Sequence, residues 1–432
     1  MSTSTALPHH SVVIIGGGQA GLSLSYYLKQ RSIDHVVFEK RAAMHSWRTQ
    51  RWDNFCLVTP NWQCKLPGHD YRGHDPHGFM KKDEILGYLE SFKASVNAPL
   101  REGVSVQLVT PRAEGGYLVK TSEGDCTADQ VTVASGGYHL PIIPRMAERL
   151  PKNVVQMHSE QYRNAASLPE GPVLVVGSGQ SGAQIAEDLH LEGRKVVLAI
   201  GDAPRCARFY RGKDVVDWLA DMGYYDMGVT EHPLRQGVRD NTNHYVTGRD
   251  GGRDIDLRKF ALEGMQLYGP MCGVDDGVLK FEPRLGAALD HADKIYNSIN
   301  AGIDKYIAAN GIDAPAGEPY VPVWLPNEER TELDLQAAGI TSIIWCIGFA
   351  PDFSWLDAPV FNGRGHPQHF RGVTQQPGLY FLGLPWLHTW GSGRFSGVAR
   401  DALYLAERIE ARRAVREPAT AEAERRAPQL TS

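Results

Sequence analysis

The stretch Ser11–Lys40 reads SVVIIGGGQAGLSLSYYLKQRSIDHVVFEK. Its short β-branched run, Val12–Ile15, meets Gly16, Gly18 and Gly21 in the spacing G-x-G-x-x-G. A helical pattern follows, with Ala20, Leu24, Tyr27 and Leu28 on one face, and a second strand, His35–Phe38, ends in Glu39. Each part has a physical task. Gly16 permits a tight turn, Gly18 lets the backbone approach a pyrophosphate, and Gly21 lets helix and strand pack closely. The helix start offers unpaired N–H groups and a partial positive charge to phosphate, and Glu39 accepts hydrogen bonds from ribose hydroxyls. This order of strand, turn, helix, strand and acid predicts a dinucleotide site.

The pattern recurs at Gly171–Gly201, GPVLVVGSGQSGAQIAEDLHLEGRKVVLAIG. Gly177, Gly179 and Gly182 match Gly16, Gly18 and Gly21, and Gln180 matches Gln19. A duplicated fold that had lost its ligand would read the same way. Ile200 falls opposite Glu39, so the ribose-reading acid is missing from this copy. Arg205 and Arg208 follow, placed to pair with the 2′-phosphate of NADPH, while Asp202 speaks for NADH. The two arginines make NADPH the expected coenzyme.

Two fingerprints in one chain predict an α/β protein with two Rossmann-like domains, an FAD domain with an NAD(P)H domain inserted into it, as in disulfide reductases. The expected division is 1–165 for the first part of the FAD domain, 166–330 for the NADPH domain with an insertion, and 331–410 for the second part of the FAD domain. The strands Gln130–Ala134 and Ile340–Ile347 each run into a glycine and an aromatic residue, Gly136–Tyr138 and Gly348–Phe349, and read as crossings between the domains. Gly378–Gly383 reads as a strand-turn against the flavin's ribityl chain, followed by a final helix within Gly391–Ile409. The charged, Ala/Glu/Arg-rich stretch 411–432 is expected to be disordered.

The remaining composition narrows the function. A chain of 432 residues holds roughly two to three domains at about 150 residues each. With 42% hydrophobic and 22% charged residues it is an ordinary globular composition. Its net charge of −5 supplies no basic field for nucleic acid and no polybasic run for a membrane surface. The N-terminus lacks a secretory pattern, and six cysteines without a CxxC pair argue against disulfide scaffolds, zinc ribbons and dithiol redox centres. A cytoplasmic location is expected. The 16 histidines form neither HExxH nor a cluster at metal spacing, so no metal site is expected.

Beyond the fingerprints, the chain resembles class B flavoprotein monooxygenases of the flavin-containing monooxygenase type. The resemblance runs to about residue 410 and is closest to an uncharacterised bacterial subfamily often encoded beside nitrilases. Its carriers are HSWRTQRWDNFCLVTPNWQCKLPG (His45–Gly68), VASGGYHLP (Val133–Pro141), HSEQY (His158–Tyr162) and IIWCIGFAPDFSWL (Ile343–Leu356). It implies FAD contacts from Gly16, Gly18, Gln19, Ala20, Gly21, Glu39, Lys40, Ser46, Trp47 and Arg48, with Gly348 and Gly383 closing the pocket. Asn61 would hold its amide near the reactive edge of the flavin. Gly177, Gly179, Gln180, Ser181, Gly182, Arg205 and Arg208 would bind NADPH. His158 and Tyr162 match H-x-x-x-Y, but Lys152 and Val154 stand where the family fingerprint has Phe and Gly, and Tyr162 stands where ester-forming members carry Trp.

The activity so implied is oxygenation of a small molecule by O2 through a C4a-(hydro)peroxyflavin, with nitrogen as the expected target atom, in a homodimer. A reductase without oxygen insertion and a non-enzymatic flavin redox sensor are the rival readings. PWLHTWGSGRFSG (Pro385–Gly397) is expected to pass over the flavin and to offer Trp386, His388, Trp390 and Arg394 to the substrate. The Arg- and Asp-rich segments YRGKDV (Tyr210–Val215) and TNHYVTGRDGGRDIDLR (Thr242–Arg258) read as an internal salt-bridge network or as an anion-recognising surface.

Overall fold

A computed structural model describes residues 6–426, with side chains through 414. The chain builds most of a first sheet, leaves it, builds a second, and returns. Strands β1 (His9–Ile15), β2 (His35–Glu39), β3 (Leu100–Glu102), β4 (Val106–Pro111), β5 (Tyr117–Thr121) and β6 (Cys126–Val133) belong to the first. The short strand β7 (Leu140–Pro141) then leads away. The second sheet collects β8 (Val155–His158), β9 (Val173–Val176), β10 (Val196–Ala199), β11 (Gln266–Tyr268) and β12 (Ser342–Trp345). Strand β13 (Phe349–Ala350) leads back, and β14 (Leu379–Phe381) rejoins the first sheet.

The order in the first sheet is β3-β2-β1-β6-β5-β4. β6 divides its length: its first residues pair antiparallel with β5, and Val131–Val133 pair parallel with β14. The second sheet is wholly parallel, in the order β8-β12-β9-β10-β11. Val12, Val13 and Ile14 of β1, like Val173–Val175 of β9, are entirely buried. A parallel strand covered on both faces reads as a continuous apolar run, and both stretches are such runs: helices cover one face, and antiparallel strands and loops cover the other. Each such side chain contributes about 1.5–3 kcal/mol on burial.

Helix α1 (Gln19–Gln30) packs on the first sheet beneath α2 (Lys82–Val96) and the last helix, and Leu22, Leu24 and Leu28 are sealed in that layer. Its counterpart α3 (Gln180–Leu191) packs on the second sheet through Ala183, Ile185, Ala186 and Leu189. Helix α4 (Leu285–Asn310) crosses the middle lobe, and α5 (Val398–Arg426) ends the described chain.

The two crossings read from the sequence form one structure: β7 and β13 pair antiparallel, Phe349 with Pro141 and Ala350 with Leu140. This ribbon joins the sheets. His158, at the end of β8, braces it, with Nε2 3.0 Å from the Gly348 carbonyl and its ring edge-on to Phe349.

Two boundaries need correction. The expected limits of 165 and 331 put β8 and β12 in the FAD domain, whereas both lie in the second sheet, on either side of which the ribbon sets the division. Neither strand follows a fingerprint, and sheet membership comes from pairing with distant residues. Of the stretch 411–432 expected to be disordered, the described part continues α5 as far as Arg426. Ala411–Ala414 extend a helix docked through Leu405, Ala406 and Ile409, and Pro418, which lacks the N–H of a helix interior, costs the segment about 3 kcal/mol. Residues 427–432 of that stretch lie outside the described residues.

Candidate active site between the two dinucleotide cradles

The two glycine loops are near-copies in three dimensions. Gly16 has φ +114°, and a Cβ there would lie 2.5 Å from the Ala134 carbonyl oxygen. Gly177 has φ +100°, and its Cβ would lie 2.6 Å from the carbonyl oxygen of Cys346. A Cβ on Gly21 would meet Gly16 O at 1.9 Å, and one on Gly182 would meet Gly177 O at 1.8 Å. These glycines are required by backbone contact in both loops. Gly18 differs, since nothing stands within 4 Å of its Cβ position. The backbone there is open to an incoming group, which suits a pyrophosphate laid across the start of α1.

Glu39 ends β2 beside this opening. Its carboxylate accepts the N–H of Gly17 at 2.8 Å and of Arg41 at 2.9 Å, so one side of the acid braces the loop and the remaining lone pairs are left for ribose hydroxyls. Gln19 links three segments: its Oε1 accepts the Trp47 indole N–H at 3.2 Å, and its Nε2 donates to the Gly393 carbonyl at 3.1 Å. Trp47 is stacked on Phe395, with centroids 5.1 Å apart. The Cβ of Ala20 lies 2.6 Å from where Gly383 would carry its own, so that glycine allows the loop after β14 to close on α1. Gln19, Ala20, Trp47 and Gly383 therefore meet at one wall of the first cradle, and Lys40 and Ser46 lie exposed nearby. Arg48 turns to Glu90 and to the Ala43 carbonyl.

At the second cradle Ser178 Oγ accepts the N–H of Gly201 at 3.1 Å, tying the glycine loop to the end of β10. Gln180 donates to the Val246 carbonyl at 2.7 Å, and Thr242 lies 3.6 Å from the Cβ position of Gly179. The insertion segment Asn241–Val246 thus closes over this loop, while Ser181 remains exposed.

A cavity of about 470 Å³ lies between the edge beyond β10, the insertion and the loop after β14. Trp386 and Trp390 enter it from the loop after β14. Asp202 and Pro204 approach from the end of β10, Tyr224, His232, Asn243 and His244 from the insertion, and His291 from α4. Arg394 ties the two sides together: it lies 3.8 Å above the Trp390 ring, donates to the Trp390 carbonyl at 2.5 Å, and donates to Asn243 Oδ1 at 2.9 Å. Burial lowers the pKa of His244 and of His388, which favours neutral imidazoles. His388 itself is fixed by its backbone, which donates to Ser392 Oγ and accepts from Val229.

Three expected site residues are reassigned by their contacts. Asn61 is 3% exposed, and both ends of its amide are used: Nδ2 donates to Asp75 O at 2.9 Å, and Oδ1 accepts Met80 N–H at 2.7 Å. It braces the 75–80 loop and presents no free amide to a flavin. Arg205 is 2% exposed. It is enclosed by the rings of Tyr296 and Tyr320 and paired with Asp293 at 3.0 Å and Asp256 at 3.6 Å. Arg208 is 1% exposed. It pairs with Asp214 at 2.5 Å and donates to Val58 O. Neither guanidinium is available to a 2′-phosphate. Asp256 and Asp293, which claim Arg205, come from distant segments, whereas Asp214 lies close in sequence to Arg208, inside the YRGKDV segment already read as part of a salt-bridge network.

The Arg- and Asp-rich segments form the internal network. Arg249 pairs with Asp188, Arg253 with Glu187, and Arg258 with Asp290 and Asp293. The sequence reading gave the middle domain an insertion and named Asn243 and His244 only within the Thr242–Arg258 segment; it singled out none of Tyr224, His232 and His291, which follow no motif. All six cysteines are free thiols; Cys272 is exposed and Cys206 half-buried, while Cys56, Cys64, Cys126 and Cys346 are buried, and burial pushes Cys56 up to about 11 and Cys64 up to about 12. Among the described residues no group of side chains is arranged to hold a metal ion, and no helix is long and apolar enough to cross a membrane.

Two matching glycine cradles on two linked sheets define a two-dinucleotide flavin oxidoreductase. Residues 13–220 match the family model described as pyridine nucleotide-disulphide oxidoreductase. Over 403 residues the chain is 32% identical to an uncharacterized CzcO-like oxidoreductase of Geobacillus kaustophilus, covering 92% of this chain and 97% of that one. The chain belongs to this CzcO-like family of FAD- and NAD(P)H-binding oxidoreductases, within the superfamily that includes flavin-containing monooxygenases, and it is an enzyme. Among solved structures, a flavin-containing monooxygenase from Stenotrophomonas maltophilia superimposes with a TM-score of 0.64 at 19% identity, over 94% of this chain and 99% of that one. An ornithine N-hydroxylase from Kutzneria sp. 744, solved with reduced FAD, NADP+ and L-ornithine, gives 0.62 at 16% identity, over 94% and 100%. At these identities the likeness concerns the fold.

Proposed function

We propose that the protein is an FAD- and NADPH-dependent monooxygenase that inserts one oxygen atom of O2 into a small molecule at nitrogen. The supporting observation is the cavity that the Trp386–Arg394 loop and the Asn241–His244 segment enclose where the two domains meet. FAD bound at Gly16–Gly21 would supply hydride acceptance and oxygen activation. The chain's own residues bind, orient and exclude water. Gln19 and Trp47 fix the wall of the first cradle, Gly177–Gly182 present the second, and Arg394 clamps the loop to the insertion.

The cavity wall supports nitrogen as the target. The faces of Trp386, Trp390 and Tyr224 and the carboxylates of Asp202 and Asp240 attract a basic amine, which becomes nucleophilic once it has lost its proton. The buried, high-pKa thiols speak against a dithiol reductase in the same fold. The test is a panel of amines and thioethers under 18O2 with NADPH, read by mass spectrometry. An amine product carrying one 18O, formed in step with NADPH consumption, supports the reading. Stoichiometric hydrogen peroxide with every substrate overturns it.

A further inference from the structure

In a Rossmann sheet the adenosine ribose is read just beyond the strand that follows the glycine helix. Here that place is the end of β10, where Gly201 is tied to Ser178 of the glycine loop and Asp202 reaches the cavity. With Arg205 and Arg208 enclosed elsewhere, another cation stands at this edge. Arg284, immediately before α4, donates from Nη2 to Asp202 Oδ2 at 3.1 Å and from Nε to Glu282 Oε2 at 2.9 Å. Its side chain is 45% exposed, as a group that must swing onto a ligand requires.

We infer that Arg284 recognises the 2′-phosphate of the coenzyme and that Asp202 holds it at that edge while the site is empty. This deepens the proposed function and rests on its NADPH assignment. A guanidinium matches a phosphate with two parallel hydrogen bonds, so the phosphate displaces Asp202 as the partner of Arg284. The displaced carboxylate repels the phosphate, which makes Asp202 a brake on NADP+ affinity. Toward a free 2′-hydroxyl the roles reverse: Asp202 accepts the hydroxyl's hydrogen bond, and Arg284 adds little. The two residues thus set the coenzyme preference.

The experiment is equilibrium binding of NADP+ and NAD+ to the FAD-loaded protein, with no turnover required. Arg284→Gln is expected to raise the Kd for NADP+ at least ten-fold and to leave that for NAD+ within two-fold. Arg284→Lys should recover part of the loss, and Asp202→Asn should tighten NADP+ and weaken NAD+. Unchanged NADP+ binding in Arg284→Gln overturns the inference, as does an equal loss for both nucleotides. So does the same selective loss from Arg330→Gln instead, Arg330 being the guanidinium stacked 4.6 Å from the Tyr268 ring at the end of β11. A wild-type protein that binds NAD+ and not NADP+ also contradicts it. Failure to oxygenate any substrate would sink the monooxygenase reading and leave these binding constants intact, so the two failures are distinguishable.

Discussion

The side-chain amide of Gln19, at the start of the first glycine helix, donates to the backbone carbonyl of Gly393, a residue 374 positions later in the chain, at 3.1 Å. The same side chain accepts the Trp47 indole N–H. One residue of the fingerprint therefore fixes both the tryptophan wall and the loop that carries Trp386 and Trp390 to the cavity. Replacing Gln19 by Leu removes both bonds at about 1 kcal/mol each. We expect FAD affinity to fall about ten-fold, with a drop in melting temperature of a few degrees. Fluorescence titration of the apo-protein with FAD reads the first, and calorimetry the second. Unaltered FAD affinity would remove Gln19 from the site.

Gly18 and Gly21 should fail in different ways. Gly18 has φ −83° and open space at its Cβ, so Gly18→Ala folds normally, and its methyl group stands where the pyrophosphate must lie. Gly21→Ala drives a methyl group into Gly16 O and should cost about 1–3 kcal/mol or more in overpacking. Flavin absorbance per chain and melting temperature, measured on both variants, should give a stable colourless protein for the first and an unstable one for the second. A yellow Gly18→Ala protein would show that the cofactor does not cross that loop.

Arg205→Met tests the reassignment of the buried arginines. Removing the cation leaves Asp293 with Arg258 alone and Asp256 with its backbone hydrogen bonds alone, so the cost should stay at or below about 3–5 kcal/mol, that of a fully broken buried pair. Urea unfolding should show that loss. A variant of undiminished stability with a selective rise in the KM for NADPH would restore Arg205 to the coenzyme site.

Much of the active-site frame was legible because its causes are local. A glycine needed for positive φ or close backbone approach is marked by its own identity and spacing, so Gly16, Gly21, Gly177 and Gly182 could be placed, as could the glycine-marked crossings that pair as β7 and β13. The contents of the cavity were less legible. Whether Arg205 meets a phosphate or Asp293, and whether Asn61 faces a flavin or Asp75, is decided by packing that spacing does not encode. Likewise β8 and β12 carry no mark of the sheet they join. The Trp386–Arg394 loop was identified by its unusual composition, although His388 turned out to be braced by Ser392 and outside the cavity lining.

Asp401, buried in the first turns of α5, provides a pH test. Burial raises its carboxyl from 3.8 to about 6, opposed by Ser392, Arg371 and Arg400. A folded-state pKa above the unfolded value means that the native protein binds the proton more tightly. Its stabilising contribution is complete below about pH 4 and is lost as pH rises through about 6. Asp401→Asn keeps the shape without the charge. Its stability relative to the wild type should increase between pH 4 and 7, by about 3 kcal/mol at most. Thermal denaturation of both proteins across that range checks it, and a difference independent of pH would show that Asp401 is not carrying this burden.

The account rests on a flavin in the first cradle that is reduced by a coenzyme docked in the second. The most direct measurement is an anaerobic titration of the FAD-loaded protein with NADPH, followed by flavin absorbance. One equivalent per chain should bleach the flavin, and the Gly179→Trp variant, with the second cradle filled, should keep its FAD and stay oxidised. A protein that binds no FAD, or a bound flavin that NADPH leaves oxidised, would contradict it.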